Sequence, residues 1–169
     1  MDTQTFTDMV HAHSHTIYKF CYSLAFSKEE AEDLFQETFL KAFENAQKGA
    51  KIKSPQGYLI STTLFIWKSL KRKHARRNRI ANFQPLHDAI PHPSNTELDF
   101  ISQEDATLVK EIVAKLPDKF KMPTLLYYSA NATLAEIATA LNIPQGTVKS
   151  RLHKARQLIE KRLIENGYK

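Results

Sequence analysis

The sequence predicts an all-α fold made of two small helical domains joined by a flexible linker. Three observations support this fold class. Apolar residues recur close to every 3.6 positions instead of alternating. Four glycines in 169 residues are few for a β-rich chain. A stretch with three prolines (Pro85, Pro91 and Pro93) has no apolar period and separates two periodic parts. We therefore assign residues 1–80 to the first domain, 81–104 to the linker and 105–169 to the second domain.

The first domain is expected to contain three helices. Apolar residues between Phe6 and Phe26 recur at helical spacing, which predicts one amphipathic helix or a broken pair. Ser27 and Glu30 have the spacing of a capping box, in which the Ser27 hydroxyl accepts from the Glu30 backbone N–H and the Glu30 carboxylate reaches back. A second helix should therefore run from Lys28 to about Ala46. Ser54 followed by Pro55 predicts the start of a third.

The second domain should resume the helical period at about Glu104, with breaks at Pro117, near Asn131 and at residues 142–144. Thr133 and Glu136 form another capping box, and Asn142 suits the left-handed position that ends a helix. A further helix then begins at about Gln145. Two helices joined by so short a turn predict a helix-turn-helix, whose second helix can enter a DNA major groove.

The first part of that second helix, up to Arg156, is unusually basic, with five basic side chains and only a narrow apolar stripe. Val148 and Leu152, four residues apart, should face the core. The polar residues on the other faces are then free to meet phosphates and base edges. A plain helical hairpin in another kind of small domain is the alternative. The predicted DNA-contacting residues are Thr147, Lys149, Ser150, Arg151, His153 and Lys154.

Positive charge is concentrated in two blocks. Residues 51–80 hold nine Lys and Arg and no Asp or Glu, and residues 111–169 hold ten against five. Residues 1–50 and 81–110 are net acidic. Because cationic side chains release counterions from a polyanion, two such blocks favour nucleic acid as the partner over a merely solvated basic face.

One face of the second helix is acidic with a leucine at its centre. On a helical wheel Asp33, Gln36, Glu37 and Leu40 lie opposite the apolar stripe. Such a face suits docking to a basic protein surface, with Leu40 as the apolar anchor. An ordinary solvated face is the alternative. Two carboxylates four residues apart on a helix are weak support for acid–base catalysis or a metal site.

The polar segment 44–54 and the end of the third helix carry most of the first basic block. Tyr58, Phe65 and Trp67 are interleaved with these cations, a combination suited to single-stranded nucleic acid, although core packing explains at least one of the aromatic residues as well. The candidate nucleic-acid residues here are Asn45, Lys48, Lys51, Lys53, Lys68, Lys71, Arg72, Lys73, Arg76 and Arg77.

Several other functions find little support. His11, His13 and His15 supply at most two helical metal ligands on one face and no fixed third partner, so a polar face is the preferred interpretation and no cofactor is expected. Cys21 is a single cysteine on the apolar stripe and should be a core residue. Without a signal segment or an apolar membrane span, a cytoplasmic protein is expected.

These motifs resemble the bacterial extracytoplasmic-function sigma factors, small members of the sigma-70 superfamily, over nearly the whole chain. EAEDLFQETFLKAF at 30–43 is similar to their segment that binds the core RNA polymerase clamp. EIVAKLPDKF at 111–120 and AEIATALNIPQGTVKSRLHKAR at 135–156 are similar to the domain that reads the −35 promoter element. The resemblance implies a helical domain like sigma region 2 followed by a helix-turn-helix domain.

What the resemblance implies is a transcription initiation subunit and not an enzyme. Its partners would be core RNA polymerase, promoter DNA and an anti-sigma factor, with no small-molecule substrate and no direct membrane insertion. The docking face of Asp33, Gln36, Glu37 and Leu40 would bind the polymerase. The 44–54 loop and the basic end of the third helix would hold the −10 element, and Lys149, Ser150, Arg151, His153 and Lys154 would enter the groove at −35.

The sequence departs from the family pattern in three segments: the third helix, the residues before the helix-turn-helix, and the start of its second helix. Relatives often carry tryptophan near Tyr58 and Arg or Asn near Phe65. They usually carry a Glu-Gly pair at Ala130-Asn131. Pro144 stands at a frequent serine N-cap, so that helix start loses a side-chain cap but gains a proline suited to the first turn.

Two other function classes compete with this interpretation. A stand-alone helix-turn-helix regulator would account for residues 133–165 but leaves the acidic face and the first basic block without a role. A nuclease would need clustered carboxylates or a metal site beside a basic groove, and the sequence offers neither.

Overall fold

The computed structural model describes residues 3–49, 52–81 and 103–168, without the side chains of residues 3, 77–81 and 103–106. These described parts contain seven α-helices and no strand. They divide into two compact units, one holding the first three helices and the other the last four. The all-α prediction is confirmed. The bounds at 80 and 104 stay a prediction, because residues 82–102 lie outside the described part.

The first unit consists of α1 (Thr3–Leu24), α2 (Lys28–Gln47) and α3 (Pro55–Ala81). Each helix packs against the other two. Helix α1 is continuous, so the predicted alternative of two broken helices between Phe6 and Phe26 is excluded. The centre of the unit is formed by large apolar side chains of all three helices, all completely or almost completely buried. These residues are Ile17, Phe20, Leu34, Leu59, Ile60 and Leu64.

Helix starts in this unit follow the predicted caps, with one difference. The Ser27 hydroxyl accepts a hydrogen bond of 3.1 Å from the Glu30 N–H, as expected. The Glu30 carboxylate, however, accepts from the backbone N–H of Phe26 at 2.7 Å and not from that of Ser27. The carboxylate thereby satisfies a donor one residue before the cap. At α3 the Ser54 hydroxyl accepts from the Gly57 N–H at 3.1 Å.

A small polar cluster lies within the apolar core of the first unit. Thr38 on α2 and Thr63 on α3 are fully buried, and their hydroxyl oxygens are 3.3 Å apart. The Thr38 hydroxyl donates to the Leu34 carbonyl at 2.7 Å, and that of Thr63 donates to the Leu59 carbonyl at 2.9 Å. Buried hydroxyls need such partners, because an unpaired one would lose its water without compensation. The cluster therefore connects α2 and α3 at one defined place.

Cys21 lies beside this cluster and is fully buried. Burial raises the pKa of its thiol from 9.0 to about 12, although hydrogen bonds with Thr38 and Thr63 act in the opposite direction. Because the thiolate is the reactive form, this cysteine is an inert core residue at neutral pH. The sequence prediction for Cys21 is confirmed.

The second unit consists of α4 (Gln103–Ala114), α5 (Asp118–Tyr128), α6 (Leu134–Leu141) and α7 (Gln145–Glu165). The long helix α7 contacts each of the other three. Leu126, Ile137 and Val148 are completely buried, and Leu152 nearly so. The predicted inward positions Val148 and Leu152 are thus confirmed.

The predicted helix-turn-helix is formed by α6 and α7. The Thr133 hydroxyl accepts from the Glu136 N–H, and the Glu136 carboxylate accepts from the Thr133 N–H at 2.9 Å. Asn142 ends α6 in the left-handed conformation, with φ 53°. Pro144 is the N-cap of α7, with an extended ψ of 148°, and not its first helical residue. The fixed φ of Pro144 therefore constrains the turn between α6 and α7 and not the first turn of α7.

The connection between α5 and α6 contains a second asparagine with positive φ. Asn131 has φ 49°, a conformation that glycine adopts without strain and asparagine tolerates better than most residues. This is the position at which the family resemblance leads one to expect glycine. The backbone conformation explains why asparagine can replace it.

Candidate nucleic-acid interface

Helix α2 presents a distinct outer face, here called the docking face and formed by Asp33, Gln36, Glu37 and Leu40. All four residues are exposed, and the Leu40 side chain has 60% of its surface accessible. The 33, 36, 37 and 40 spacing brings them onto one side of the helix, while Leu34 and Thr38 face the core. A leucine this exposed between carboxylates costs hydrophobic free energy in water, which a partner surface would recover.

The outer side of α3 is strongly basic. No acidic residue occurs anywhere in this helix. The predicted nucleic-acid residues Lys68, Lys71, Arg72, Lys73 and Arg76 are all exposed. Arg77 belongs to the helix but its side chain lies outside the described part, and Lys51 lies outside it altogether. A helix that carries many cations and no carboxylate of its own generates a positive potential suited to phosphates.

The aromatic residues of α3 divide into two roles. Trp67 is half-buried, and its indole Nε1 donates to the Leu24 carbonyl at 3.2 Å, so it is a structural residue. Lys71 lies over the same ring, 5.0 Å from its centroid. Phe65, by contrast, is 64% exposed. Tyr58 is half-buried, and its buried hydroxyl has no hydrogen-bond partner within the described part of the chain. Phe65 is therefore the aromatic residue of α3 most available to a ligand.

The predicted 44–54 loop is shorter in the structure. Residues 44–47 belong to α2, because Ala46 extends the buried stripe of that helix by another turn. Asn45 is consequently a half-buried helical residue and not a loop residue. Lys48 caps the helix, and both Lys48 and Lys53 are exposed. Gly49 between them has φ 85°, which favours glycine.

His74, further along α3, faces the start of α2. Its Nε2 lies 3.5 Å from Glu30 Oε1, while Glu30 Oε2 accepts the hydrogen bond from Phe26 described above. One carboxylate thus serves as the cap of α2 and as the partner of a side chain on the basic helix. No sequence pattern predicts this contact, because the two residues are 44 positions apart along the chain.

The exposed side of α7 carries most of the residues predicted to contact DNA. Lys149, Ser150, His153 and Lys154 are exposed, whereas Thr147 and Arg151 are half-buried at the edge of the helix. The Ser150 hydroxyl donates to the Thr147 carbonyl at 3.0 Å. His153 Nε2 lies 3.2 Å from the side-chain nitrogen of Gln157. All six predicted residues therefore lie on α7 away from its buried stripe, two of them at the border.

A further cluster on the second unit was not predicted. Tyr127 and Tyr128 at the end of α5 stack edge to face with their ring centroids 5.0 Å apart. Arg156 of α7 donates from Nε to the Tyr128 hydroxyl oxygen at 3.0 Å. From the sequence alone, Arg156 is one of the basic side chains of this helix without an assigned contact. No local signal reveals the pair, because it depends on the packing of α5 against α7.

The remaining predictions concern the three histidines of α1 as metal ligands and the absence of a membrane span. His11 and His15 are exposed and His13 is half-buried. Across residues 3–49, 52–81 and 103–168, no group of three or more His, Cys, Asp and Glu is placed to hold a metal ion. None of the helices in these ranges is long and apolar enough to cross a membrane.

Comparison with known proteins supplies independent evidence on both units. Residues 9–77 match the family model for sigma-70 region 2, and residues 112–161 match the model for sigma-70 region 4. The chain is 32% identical to the ECF RNA polymerase sigma factor SigW of Bacillus subtilis, with 96% of this chain and 90% of SigW covered. It is 26% identical to SigM of the same organism, covering 92% of this chain and 93% of SigM.

A solved structure has the same fold. The sigma factor RpoE of Bartonella quintana, crystallised in complex with the anti-sigma factor NepR, matches with a TM-score of 0.81 and 21% sequence identity. The match covers 95% of this chain and 98% of RpoE. At that identity the likeness concerns the fold.

Proposed function

The chain belongs to the ECF RNA polymerase sigma factors, and from this premise we propose which of its surfaces bind core polymerase, the −10 element and the −35 element. As an alternative sigma factor it binds core RNA polymerase and promoter DNA. The observation that carries the function is the succession of region 2 and region 4 along one chain, together with a basic exposed helix in each. A stand-alone helix-turn-helix regulator is not favoured, because it would leave region 2 without a role.

The docking face of α2 is our candidate for the contact with core polymerase. Leu40 is the proposed apolar anchor, and Asp33 and Glu37 would pair with cations of the polymerase, with Gln36 adding a neutral hydrogen-bonding group. Support comes from the exposure of all four residues on one side of a helix whose other side is fixed in the core. Charged residues at the edge of an apolar anchor mainly set association rate and orientation.

We assign the −10 element to the first unit. Lys68, Lys71, Arg72, Lys73, Arg76 and Arg77 of α3 would neutralise phosphates, and Asn45, Lys48, Lys51 and Lys53 would line the path of an extruded base. Phe65 adds an exposed ring on which an unpaired base can stack. Opening a duplex costs a few kcal/mol of lost stacking for each extruded base, and stacking on an aromatic side chain offsets part of it.

We assign the −35 element to α7. Lys149, Ser150, Arg151, His153 and Lys154 would enter the major groove, with Thr147 at the helix start close to the backbone. A major groove about 12 Å wide admits one α-helix, and basic side chains on its exposed side reach phosphates and guanine edges. Arg151 is half-buried at the edge of the helix, and its planar guanidinium has the geometry for a bidentate contact with a guanine edge.

An anti-sigma partner is part of the proposal, since the RpoE of similar fold was crystallised with one. Its most direct mode of action would be to cover the docking face or the basic helices. We further propose that the chain has no enzymatic activity, uses no cofactor and works in the cytoplasm, where the polymerase is.

The decisive experiment is open-complex formation. The purified chain and bacterial core polymerase are mixed with a pool of promoter fragments, and strand separation is mapped by single-strand footprinting together with transcript sequencing. Core alone and chain alone are the controls. We expect melting only when both are present, with shared −10 and −35 sequences among the transcribed fragments.

Two results would contradict the proposal. Binding of the chain to duplex DNA that is indifferent to core and never leads to melting would support a stand-alone regulator. Cleavage of the DNA dependent on a divalent metal would support a nuclease.

A further inference from the structure

The second unit carries an exposed aromatic and cationic cluster beside the proposed −35 surface, formed by Tyr127, Tyr128 and Arg156. Tyr128 is 53% exposed and Tyr127 is 37% exposed, although both are large apolar rings. The Arg156 guanidinium lies 5.8 Å from the centroid of Tyr127 and donates to the Tyr128 hydroxyl. Two elements, α5 and α7, are therefore joined at the surface by one arginine.

The geometry of the contact leaves most of the guanidinium available. Arginine has five N–H donors, and the Tyr128 hydroxyl occupies the one on Nε. The terminal amino groups, which are the usual bidentate donors to a phosphate, are not used in this bond. The hydrogen bond and charge interaction with Tyr128, followed by weaker contributions of both kinds from Tyr127, raise the pKa of Arg156 above its ordinary value. Among the residues that the structure describes, no carboxylate contributes to that shift.

Arg156 also lies on the DNA-facing side of α7. It follows Lys149 by seven residues, which is almost two helical turns or about 10 Å along the axis. Residues separated in this way lie on the same side of a helix. Arg156 is exposed, as are Lys149 and His153 on the same side. A helix seated in a major groove has the sugar–phosphate backbones along its flanks, so a cation at this distance meets phosphates.

We propose that Arg156 is an additional phosphate contact at the edge of the −35 surface and that Tyr128 is the positioning residue which holds it. The proposal rests on the proposed sigma-factor function. Fixing an arginine before binding lowers the side-chain entropy lost when the phosphate is bound. A phosphate contact does not distinguish one base pair from another, so Arg156 should strengthen binding to all promoters of this factor by the same amount.

The test measures the salt dependence of promoter binding. Holoenzyme made with full-length chain is titrated onto a promoter fragment selected in the open-complex experiment, at low temperature to keep the duplex closed, over a range of salt concentrations. Arg156→Gln should reduce the slope of log affinity against log salt by about 0.9, the value of one phosphate contact. The ratio of wild-type to variant affinity should then grow about eightfold as salt falls from 1 M to 0.1 M.

Arg162→Gln is the matched control. It removes the same charge from the same helix, six residues further on and about 120° around it. Arg162 pairs with Glu165 at 3.8 Å, so its removal should leave the slope at the wild-type value. Arg156→Lys, which keeps the charge, should restore most of the slope. An Arg156→Gln slope equal to that of wild type would overturn the proposal.

Tyr128→Phe tests the positioning role, because it keeps the ring and removes the hydroxyl. We expect it to weaken promoter binding in the wild-type background and to have no further effect in the Arg156→Gln background. Equal effects in both backgrounds would overturn the positioning role, since a general structural role of Tyr128 would persist without the arginine.

The outcomes also separate this proposal from its premise. If wild-type holoenzyme shows no selective promoter binding, the sigma-factor assignment of the surfaces fails. If wild-type binding is normal and Arg156→Gln weakens the association of the chain with core polymerase instead of altering the salt slope, the cluster is a protein contact and the phosphate proposal fails alone.

Discussion

The indole Nε1 of Trp67 donates a hydrogen bond to the carbonyl oxygen of Leu24, the last residue of α1, at 3.2 Å. Carbonyls in the last turn of a helix have no partner within the helix, and a side chain from another helix can supply one. The bond attaches the end of α1 to the middle of α3. It also gives one half-buried aromatic residue of the basic helix a structural role.

Replacing this tryptophan should affect stability. Trp67→Phe keeps an aromatic ring but leaves the Leu24 carbonyl without its donor. We expect the free energy of unfolding to fall by about 1 kcal/mol, measured by urea denaturation. Promoter melting by the folded variant should be nearly unchanged. A variant as stable as wild type would show that water replaces the bond at no cost.

Phe65 should behave in the opposite way. Phe65→Ala removes a ring that is mostly exposed, so the free energy of unfolding should change by less than about 0.5 kcal/mol. The open complex, however, should lose about 1–3 kcal/mol, the usual value of one base stacked on an aromatic side chain. Dissociation of open complexes measures this loss. Phe65→Tyr should keep the stacking, and normal melting by Phe65→Ala would refute the assignment.

Substitutions on the docking face should weaken assembly with core polymerase without unfolding the protein. Leu40→Ala should cost at least about 1 kcal/mol of binding free energy if Leu40 is the anchor, and Asp33→Arg should slow association through charge reversal. Fluorescence titration of labelled chain with core polymerase measures both. Asp8→Arg on α1 is the control, being an exposed charge reversal in the same unit. Equal losses for Asp8→Arg and Asp33→Arg would argue against a specific face.

On α7, Arg151 and Lys154 should have separable effects. Arg151→Ala should relax sequence preference at one −35 position and cost about 1–3 kcal/mol on the preferred promoter. Lys154→Ala should weaken all promoters alike and reduce the salt slope by about 1. Binding to a set of single-base promoter variants distinguishes the two. If Arg151→Ala alters only the salt slope, Arg151 contacts a phosphate.

The buried thiol of Cys21 should make stability depend on alkaline pH. Its pKa is raised from 9.0 to about 12 in the folded protein, so the folded state holds the proton that the unfolded chain releases. This contribution is complete below pH 9 and is lost as the pH rises toward 12. The wild-type free energy of unfolding should therefore decrease more steeply than that of Cys21→Ala, by up to about 1.4 kcal/mol per pH unit. Parallel curves for the two proteins would contradict the expectation.

Much of the fold could be predicted because its signals are local. The caps at Ser27 and Thr133 and the left-handed Asn142 depend on residues three or four positions apart, which the sequence displays directly. The same is true of helix faces. The exposure of Leu40 and the burial of Thr38 follow from their separation around one helix.

The features that could not be predicted depend on tertiary packing. Trp67 and Leu24 are 43 residues apart, and Arg156 and Tyr128 are 28 apart. Neither spacing is a sequence pattern, so only the packed helices reveal the partners. Pro123 is a further example, since a proline ordinarily interrupts a helix. Here α5 continues through Pro123, whose ring is fully buried in the core.

The contact between Thr38 and Thr63 fixes the rotation of α2 about its own axis relative to α3. A shift of one residue would turn α2 by about 100°, separate Thr38 from Thr63 and carry the buried Leu34 toward solvent, at a cost in hydrophobic free energy. Leu40 is two residues from Thr38, and Phe65 is two residues from Thr63. The angle between the directions in which Leu40 and Phe65 point outward is therefore fixed by the packing of α2 on α3. The polymerase and the opened promoter strand would thus be held in a fixed orientation to each other by this one unit.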